Sequence, residues 1–289
     1  MTSIDRLSLE RAGHRPRADV MLLVAIGAGL GWAWLIASIA SIMATADMTA
    51  LGPGMGVFNR FNQLADLPAS MRASLVALCT PSADRPWSLA GLLTVLVMWN
   101  AMVLAMMLPS AAPVLAAEEG RGPHAAPVLA AGYLSAWFGF SVAAALLQIC
   151  LGEARLLHAA MAPMTEVLAA TTMAAAGIYQ FTPFKTACLA RCRNPAPAFF
   201  ADPPGVAALY RRGFGLGLDC LGCCWALMTV MFAVGVMNLI WIAGLGAVMA
   251  TEKLTAGHWL RWSIGVGLIA AAVALLAGTP VGTRLLGLA

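Results

Sequence analysis

Residues 220–250 read CLGCCWALMTVMFAVGVMNLIWIAGLGAVMA, an apolar run without a single charged side chain. An α-helix rises about 1.5 Å per residue, so about 20 apolar residues are needed to cross a hydrocarbon core about 30 Å thick. The run exceeds this length and predicts a transmembrane helix that begins outside the hydrocarbon. We therefore expect the chain to fold within a membrane.

The composition extends this expectation to the whole chain. Of its 289 residues, 61% are hydrophobic and 10% are charged, against roughly 25% charged residues in a soluble domain; the mean hydropathy is +0.83. These values exclude a disordered chain, a disulfide-rich secreted mini-protein and an ordinary cytosolic enzyme. Three Tyr and few charges leave no basic, aromatic-interleaved face for nucleic acid. The net charge of +4 needs no acidic partner, because Lys and Arg favour the cytoplasmic loops of membrane proteins.

Five further stretches are long and apolar enough to cross a bilayer. They are expected to be helical because backbone groups in lipid must satisfy one another internally, and no alternating barrel pattern is present. The predicted fold is an all-α, polytopic integral membrane helix bundle of about six transmembrane helices, in a single membrane domain over residues 1–289. The predicted spans are Ala18–Met43, Ser88–Leu108, Ala126–Leu151, His158–Tyr179, Cys220–Ala250 and Leu260–Gly278.

The positive residues indicate the orientation of the bundle. With the N-terminus inside, most of the 17 Lys and Arg fall in cytoplasmic segments, so both the N- and C-termini are predicted to be cytoplasmic. Residues 1–17 then form a basic N-terminal tail. Residues 44–87 form an outer loop whose amphipathic stretches predict interfacial helices, and residues 181–219 form an inner loop rich in Cys, Pro and basic residues.

The chemistry of the sequence concentrates in sulfur, with seven Cys and 17 Met against four His. Cys188 and Cys192 form a C-x-x-x-C motif in the inner loop, and Cys220, Cys223 and Cys224 form a C-x-x-C-C motif at the start of the fifth span. Residues three or four positions apart share one face of a helix. A single Cys in a membrane helix is more often a packing residue, but five in two short motifs at one membrane face favour metal or thiol chemistry.

Methionines at helical spacing lie along the second and fifth spans and extend toward the membrane face that holds the five cysteines. Thiolates and thioethers, with few imidazoles and no nearby carboxylate cluster, are the soft donors that select Cu(I). The methionine stripe of the second span, taken alone, is equally consistent with helix packing. The predicted metal ligands are Cys188, Cys192, Cys220, Cys223, Cys224, Met98, Met102, Met106, Met107, Met228 and Met231.

Four other charged residues have two interpretations each. Glu166 lies within the fourth span and is either a functional group at membrane depth or a residue of the outer interface. Glu252 and Lys253 are predicted at the outer end of the fifth span, where they pair or are simply solvated. Lys185, beside the C-x-x-x-C motif, either favours the thiolate that a metal needs or anchors the chain at its positive face.

Three segments resemble a bacterial family of predicted metal-binding integral membrane proteins. They are MWNAMVLAMMLPS (98–110), GIYQFTPFKTACLARCRNP (177–195) and GLGLDCLGCCWALMTVMFAVGVMNLIWIA (215–243), followed by Glu252-Lys253. The family includes the copper-chaperone-like membrane protein encoded beside a bacterial tyrosinase (polyphenol oxidase). The resemblance covers roughly Ser88 to the sixth span. It implies copper handling in a bacterial inner (plasma) membrane, with copper supplied to a tyrosinase-like cuproenzyme or a soluble copper-binding partner.

We therefore interpret the chain as a Cu(I)-binding membrane chaperone or conduit rather than an enzyme. It has no G-x-x-x-x-G-K-[ST] phosphate loop and no aspartyl-phosphate pump signature, so any movement of copper is passive or driven by a partner. Two other classes stay open: a membrane thiol–disulfide carrier, in which Cys79 and Cys150 could form a disulfide on the oxidising side, and a structural subunit of a membrane complex. A homo-oligomer is compatible with each.

Overall fold

The structure, a computed structural model, describes residues 16–43, 47–66, 88–117, 124–157, 165–194, 205–255 and 257–279. Within these ranges the chain is helical and contains no β-strand, which confirms the predicted all-α class. Residues 1–15 and Cys79 lie outside the described residues. The α-helices are α1 (Pro16–Met43), α2 (Leu89–Met106), α3 (Leu108–Ala117), α4 (Ala125–Glu153), α5 (Glu166–Tyr179), α6 (Pro183–Arg193), α7 (Val206–Thr229), α8 (Met231–Val234), α9 (Leu239–Leu254) and α10 (Trp259–Ala277).

Five helical segments are long and apolar enough to cross a membrane: α1, α2, α4, α7 together with α8, and α10. The helix α5 has 14 residues and α9 has 16, so both are shorter than the roughly 20 residues of a full crossing. In the predicted outer loop, Met48–Leu51 and Met55–Asp66 form 3₁₀ helices. The helical content and apolarity agree with a membrane protein, as the sequence predicts.

The predicted fifth span is not one helix, and this is the main correction to the sequence-based topology. The helix α7 ends at Thr229, and Gly235 separates the short helix α8 from α9. Gly235 has a φ of 100°, a left-handed conformation that glycine adopts without steric cost. A Cβ at this position would also clash with the carbonyl oxygen of Leu51. The chain therefore turns at Gly235 instead of continuing as a straight helix.

Asn238 starts the next helix. Its Oδ1 accepts a hydrogen bond from the backbone N–H of Trp241 at 3.3 Å, and its amide donates to the carbonyl oxygen of Pro53 at 2.9 Å. This is the arrangement of an N-cap residue, which satisfies one of the free N–H groups of the first helical turn. Asn238 thus begins α9 and ties the turn to the 47–54 segment.

The helix α9 returns alongside α7, so its last residues lie beside the middle of that helix. Lys253 Nζ lies 3.0 Å from Cys220 Sγ. The prediction that Glu252 and Lys253 lie at the far end of a straight fifth span is therefore wrong. We call the end of the bundle that holds Cys192 and Cys220 the cysteine end, and the end that holds Glu166 and Gly235 the far end.

The other helix pairs follow from close contacts. The helices α1 and α2 are antiparallel, because Gly31 packs on the Ala101 carbonyl while Gly27 packs on Leu108. The helices α5 and α10 are also antiparallel, because Gly177 packs on Ile269 while Gly265 packs on Phe181, just beyond the end of α5. Consequently α1 begins at the cysteine end and α10 ends at the far end. The predicted topology has these two helix ends on one side, and the difference arises because α9 runs back along the bundle instead of continuing α7.

Close packing of α4 against α7 brings a tyrosine to the cysteine motif. The two helices run parallel, and a Cβ at Gly213 of α7 would clash with the carbonyl oxygen of Leu129 on α4. Tyr133 lies one turn beyond Leu129 on the same face, and its hydroxyl reaches the Sγ of Cys220 at 2.9 Å. The absence of a side chain at Gly213 thus permits the approach that places Tyr133 at the site.

Between the two ends, the core is filled by apolar side chains around Trp99. The Nε1 of Trp99 donates to Oε1 of Gln148 at 2.8 Å, and the Trp99 ring packs on Phe232 with centroids 5.4 Å apart. Buried polar atoms need such partners because an unmade hydrogen bond in an apolar interior is costly. These contacts join α2, α4 and α8 at one level of the bundle.

Candidate metal centre

Three cysteine thiols converge at the cysteine end of the bundle. Cys192 lies near the C-terminal end of α6, and Cys220 and Cys223 lie one turn apart on α7; the Sγ atoms of all three lie within 4.8 Å of one another. Cys220 and Cys223 are each 1% exposed, whereas Cys192 is half-buried. The group joins one residue of the C-x-x-x-C motif to two residues of the C-x-x-C-C motif. We call these three residues the thiol group.

The two remaining motif cysteines border the thiol group. Cys224 is buried, and its Sγ lies 3.3 Å from Cys223 Sγ. Cys188 is also buried, packs against Gly222, and accepts a hydrogen bond from the Arg191 guanidinium at 3.4 Å. The structure therefore brings all five predicted cysteines to one region, but only three of them are mutually close.

The start of α6 explains why its two cysteines share a face. Thr182 caps the helix by accepting a hydrogen bond from the backbone N–H of Lys185 at 3.2 Å, and Pro183 occupies the first turn. Proline is favoured there because its missing N–H would have no helical partner. The helix then continues to Arg193, which places Cys188 and Cys192 one turn apart on the side of α7.

Two further residues of the site, Lys253 and Tyr133, are not among the residues predicted for it from the sequence. Lys253 Nζ contacts Cys220 Sγ at 3.0 Å and Ser110 Oγ at 2.6 Å. The Tyr133 hydroxyl lies 2.9 Å from the same sulfur and donates to the Met107 carbonyl oxygen at 3.2 Å. The signal that could have located Lys253 is the glycine and helix-capping asparagine inside the long apolar run, which mark a turn.

A buried ion pair fixes the C-terminal end of α9 to α6. Lys185 Nζ lies 2.8 Å from Glu252 Oε2, and the two side chains are 0% and 2% exposed. Arg193 donates to the backbone carbonyl of Glu252, with Nε at 3.1 Å. Removing one partner of a buried pair costs about 3–5 kcal/mol, since the other charge is left uncompensated. Lys185 therefore pairs with a carboxylate, and the contacts at Glu252 hold the neighbouring Lys253 at the thiol group.

Both thiols of α6 have a pKa above its ordinary value. Burial raises the pKa of the Cys188 thiol, and the Arg191 guanidinium opposes that shift in part. Hydrogen bonding with Cys220 raises the pKa of Cys192. Metal binding requires thiolates and therefore releases protons from such groups.

A small cavity of about 20 Å³ reaches the thiol group from the side of α3 and α4. Its lining includes Ser110, Leu129, Tyr133, Cys192 and Lys253. A space of this size holds about one water molecule. Cys192, the half-buried member of the thiol group, is the sulfur that lines this opening.

All six predicted methionine ligands are buried in the core, and two of them, Met98 and Met231, lie well along the bundle from the thiol group. Met231 lies 11 positions beyond Cys220, about 16 Å along a helix. Met98 lies at the same level, since its neighbour Trp99 packs on Phe232. Met107 is connected to the site through its backbone, because the Tyr133 hydroxyl that contacts Cys220 Sγ also donates to the Met107 carbonyl oxygen. The buried methionines are Met98, Met102, Met106, Met107, Met228 and Met231.

Two further candidates lie at the far end. Glu166 is exposed in the first turn of α5, where Thr165 caps the helix, and it lines a cavity of about 570 Å³ together with Met173. An acidic group in this position is favoured by the helix dipole. Cys150 is exposed near the end of α4 and is a free thiol. Neither residue belongs to the thiol group.

A protein-family model described as PpoB2, copper chaperone, matches residues 96–275, which is more than half of the chain. The matched range contains both cysteine motifs, the six predicted methionines, Tyr133 and Lys253. No curated protein and no solved structure matches the chain.

Proposed function

Because the chain belongs to the PpoB2 copper chaperone family, we propose that it binds Cu(I) at the thiol group and delivers it to a partner protein. One observation carries the proposal: the Sγ atoms of Cys192, Cys220 and Cys223 lie within 4.8 Å of one another. Thiolates are soft donors that favour Cu(I). Copper is cargo in this scheme, held in the membrane protein only until transfer.

The neighbouring sulfurs supply further ligands for the transfer. Cys224 lies 3.3 Å from Cys223 through their Sγ atoms, and Cys188 packs one turn before Cys192. Ligand exchange between adjacent thiolates moves the ion without releasing it to water. The buried methionines of α2, α7 and α8 are neutral thioether ligands, which suit the release of Cu(I) along the core. These six methionines are Met98, Met102, Met106, Met107, Met228 and Met231.

The cysteine end faces the cytoplasm in this proposal, and the protein resides in a bacterial inner membrane. Among residues with described side chains, the basic ones lie mainly at the cysteine end, and the positive side of a membrane protein is cytoplasmic. With α5 and α9 as short crossings, the described part of the chain passes the membrane seven times. The basic residues at the cysteine end are Lys185, Arg191, Arg193, Arg211, Arg212, Lys253 and Arg261, against Arg60 and Arg155 at the far end.

Copper exchanges with a soluble partner through Cys192. This thiol is half-buried and lines the small cavity, whereas Cys220 and Cys223 are almost fully buried. A soluble copper carrier that presents its own thiolate can therefore exchange with Cys192 first. We propose a cuproenzyme of the polyphenol oxidase type, or a soluble copper carrier, as the partner of this exchange.

Anaerobic Cu(I) titration of the purified full-length protein tests the proposal. With a chromophoric Cu(I) chelator as competitor, we expect about one tightly bound Cu(I) per chain, and X-ray absorption at the copper edge should report sulfur ligands. The combined variant Cys192→Ser, Cys220→Ser, Cys223→Ser should lose this binding, whereas Cys150→Ser, an exposed thiol at the far end, should retain it.

Two results would contradict the proposal. Unchanged Cu(I) affinity in the triple variant would remove the thiol group as the site. Redox-dependent alkylation of the thiol group that is indifferent to copper would instead support a thiol–disulfide carrier.

A further inference from the structure

Lys253 places a positive charge directly against the thiol group. Its Nζ lies 3.0 Å from Cys220 Sγ and 2.6 Å from Ser110 Oγ. Within the described part of the chain, Lys253 forms no ion pair with a carboxylate, because Glu252 pairs with Lys185 and Asp219 pairs with Arg191. The charge of Lys253 is therefore directed at the sulfur atoms.

The donor set alone does not exclude divalent soft metals. Zn²⁺ takes four ligands, commonly Cys, in tetrahedral structural sites. The three converging thiols of Cys192, Cys220 and Cys223, with water as a fourth ligand, form a donor set that suits Zn²⁺ as well as Cu(I). A copper carrier built from these residues needs some other means of rejecting Zn²⁺ and Cd²⁺.

The charge of Lys253 distinguishes the two classes of metal. Three thiolates and Cu(I) form a complex of charge −2, whereas three thiolates and a divalent ion form a complex of charge −1. A metal bound to Cys220 Sγ would lie at most about 5 Å from Nζ, because metal–sulfur bonds are about 2.3 Å long. At such distances in a poorly hydrated site, one unit of charge changes affinity by more than about tenfold.

Lys253 also occupies space beside Cys220 without offering a ligand. An ammonium group has three N–H donors and no lone pair, so it cannot coordinate a metal while it is charged. Its contacts with Ser110 and Cys220 hold it in place. The side chain thus adds charge selection without adding a donor.

We propose, on the basis of the proposed copper function, that Lys253 is the specificity-determining residue of the thiol group and selects univalent over divalent soft metal ions. The charged side chain favours the more negative Cu(I) complex and disfavours Zn²⁺ and Cd²⁺. Removing its charge should relax this preference while leaving the thiol donors in place.

Competition titrations with Cu(I), Ag(I), Zn²⁺ and Cd²⁺ on the full-length protein in detergent test this inference. In Lys253→Leu, which removes the charge without adding a donor atom, the affinity for Zn²⁺ and Cd²⁺ relative to Cu(I) and Ag(I) should rise by about tenfold or more. The ultraviolet charge-transfer band of Cd²⁺–thiolate should appear at lower Cd²⁺ concentration than in the wild type. Ag(I) and Cd²⁺ are both soft, so the comparison isolates charge from donor preference.

Two control variants separate charge from structure. Lys253→Arg keeps the charge and should keep the wild-type selectivity ratio. Arg211→Met removes an exposed positive charge of α7 at the same end of the bundle, so its ratio should also stay at the wild-type value. Lys253→Gln, which retains hydrogen-bond donors toward Ser110, replaces the leucine variant if that variant elutes as aggregate.

A selectivity ratio in the neutral variants within about twofold of wild type would overturn the role of Lys253 while leaving Cu(I) binding intact. A wild-type protein that binds no Cu(I) would instead contradict the proposed function. The two failures are therefore distinguishable in the same titrations.

Discussion

Lys253 Nζ lies 3.0 Å from Cys220 Sγ, although the two residues are 33 positions apart in the sequence. In a straight helix this separation would be about 50 Å, more than the thickness of a bilayer. The turn at Gly235 removes that distance and makes α9 the third helix of the site, beside α6 and α7. The thiols and Lys253 are thus held by α6 and by the two arms of a helical hairpin, α7 before the turn at Gly235 and α9 after it.

The hairpin gives a topological test at Thr255 and Glu153. Both residues are exposed, and they lie at the cysteine end and the far end respectively. We expect Thr255→Cys to gain labelling by a membrane-impermeant maleimide from one face of the membrane, and Glu153→Cys from the opposite face, each relative to wild type. A straight fifth helix would place both on the same face, so equal sidedness in intact cells and inverted vesicles would contradict the hairpin.

Gly235→Ala should destabilise the protein. The alanine would have to adopt a φ near 100° and would clash with the Leu51 carbonyl oxygen. A side chain in this backbone region costs about 1–3 kcal/mol, so the thermal unfolding temperature in detergent should fall. Gly244→Ala is the matched control: it lies in α9 with nothing near its Cβ, and it should leave the temperature unchanged or raise it slightly. Equal behaviour of the two variants would argue against the turn.

The sequence predicts the helical class well because nearly every segment is apolar over a helix-length window. The sequence-based prediction fails at residues 220–250 because hydropathy indicates which residues can lie in lipid but does not show where the chain turns back. Gly235 and Asn238 are weak local signals within a strong apolar background, and glycine is common in membrane helices. Because residues 220–250 are predicted as one span, Glu252 and Lys253 are predicted on the wrong side of the membrane bundle.

The candidate site, like the fold, is predicted from the sequence only in part. The helical spacing of Cys220 and Cys223 predicts that they lie together. The predicted cytoplasmic location of both cysteine motifs places α6 at the same end of the bundle. Tyr133 and Lys253 depend on tertiary contacts: Tyr133 reaches Cys220 because Gly213 lets α4 approach α7, and Lys253 does so because α9 turns back. The turn that returns Lys253 is marked only weakly, by Gly235 and Asn238, and the contact of Tyr133 has no local signal, so the sequence predicts the thiols more readily than their polar neighbours.

The Lys185–Glu252 pair should behave as a buried structural ion pair. Glu252→Gln leaves the Lys185 ammonium buried without its counter-charge, and we expect a loss of about 3–5 kcal/mol in unfolding free energy. The double variant Lys185→Met, Glu252→Leu removes both charges and should recover most of this loss, since apolar replacement of a buried pair is often neutral or stabilising. Denaturant titration of the single and double variants measures the coupling. Additive losses in the double variant would contradict the pairing.

Cys188 and Cys192 should differ in their contribution to Cu(I) affinity even though they belong to one motif. Cys192 is a member of the thiol group, whereas Cys188 contacts Arg191. Loss of a residue that contacts a metal ligand, without itself binding the metal, typically weakens affinity by about 10- to 100-fold. Cys192→Ser removes a ligand and should weaken Cu(I) binding by more than about a hundredfold. Cys188→Ser should weaken it by about tenfold at most. Chelator competition measures both. Equal losses would mean that the C-x-x-x-C motif binds as a unit.

The buried methionines can be tested for a role in copper movement separately from packing. Leucine has nearly the volume of methionine, and such exchanges usually cost less than about 1.5 kcal/mol, so the combined variant Met98→Leu, Met102→Leu should fold and keep the Cu(I) stoichiometry of the thiol group. If these thioethers carry Cu(I) away from the thiols, transfer to a chelator trapped inside proteoliposomes should slow by more than about tenfold, as a barrier higher by about 1.4 kcal/mol would give. Met249→Leu is the matched control, because Met249 is equally buried on α9 but belongs to neither stripe. Transfer at the wild-type rate in the double variant would assign Met98 and Met102 to packing, and copper would then leave through the opening beside Cys192.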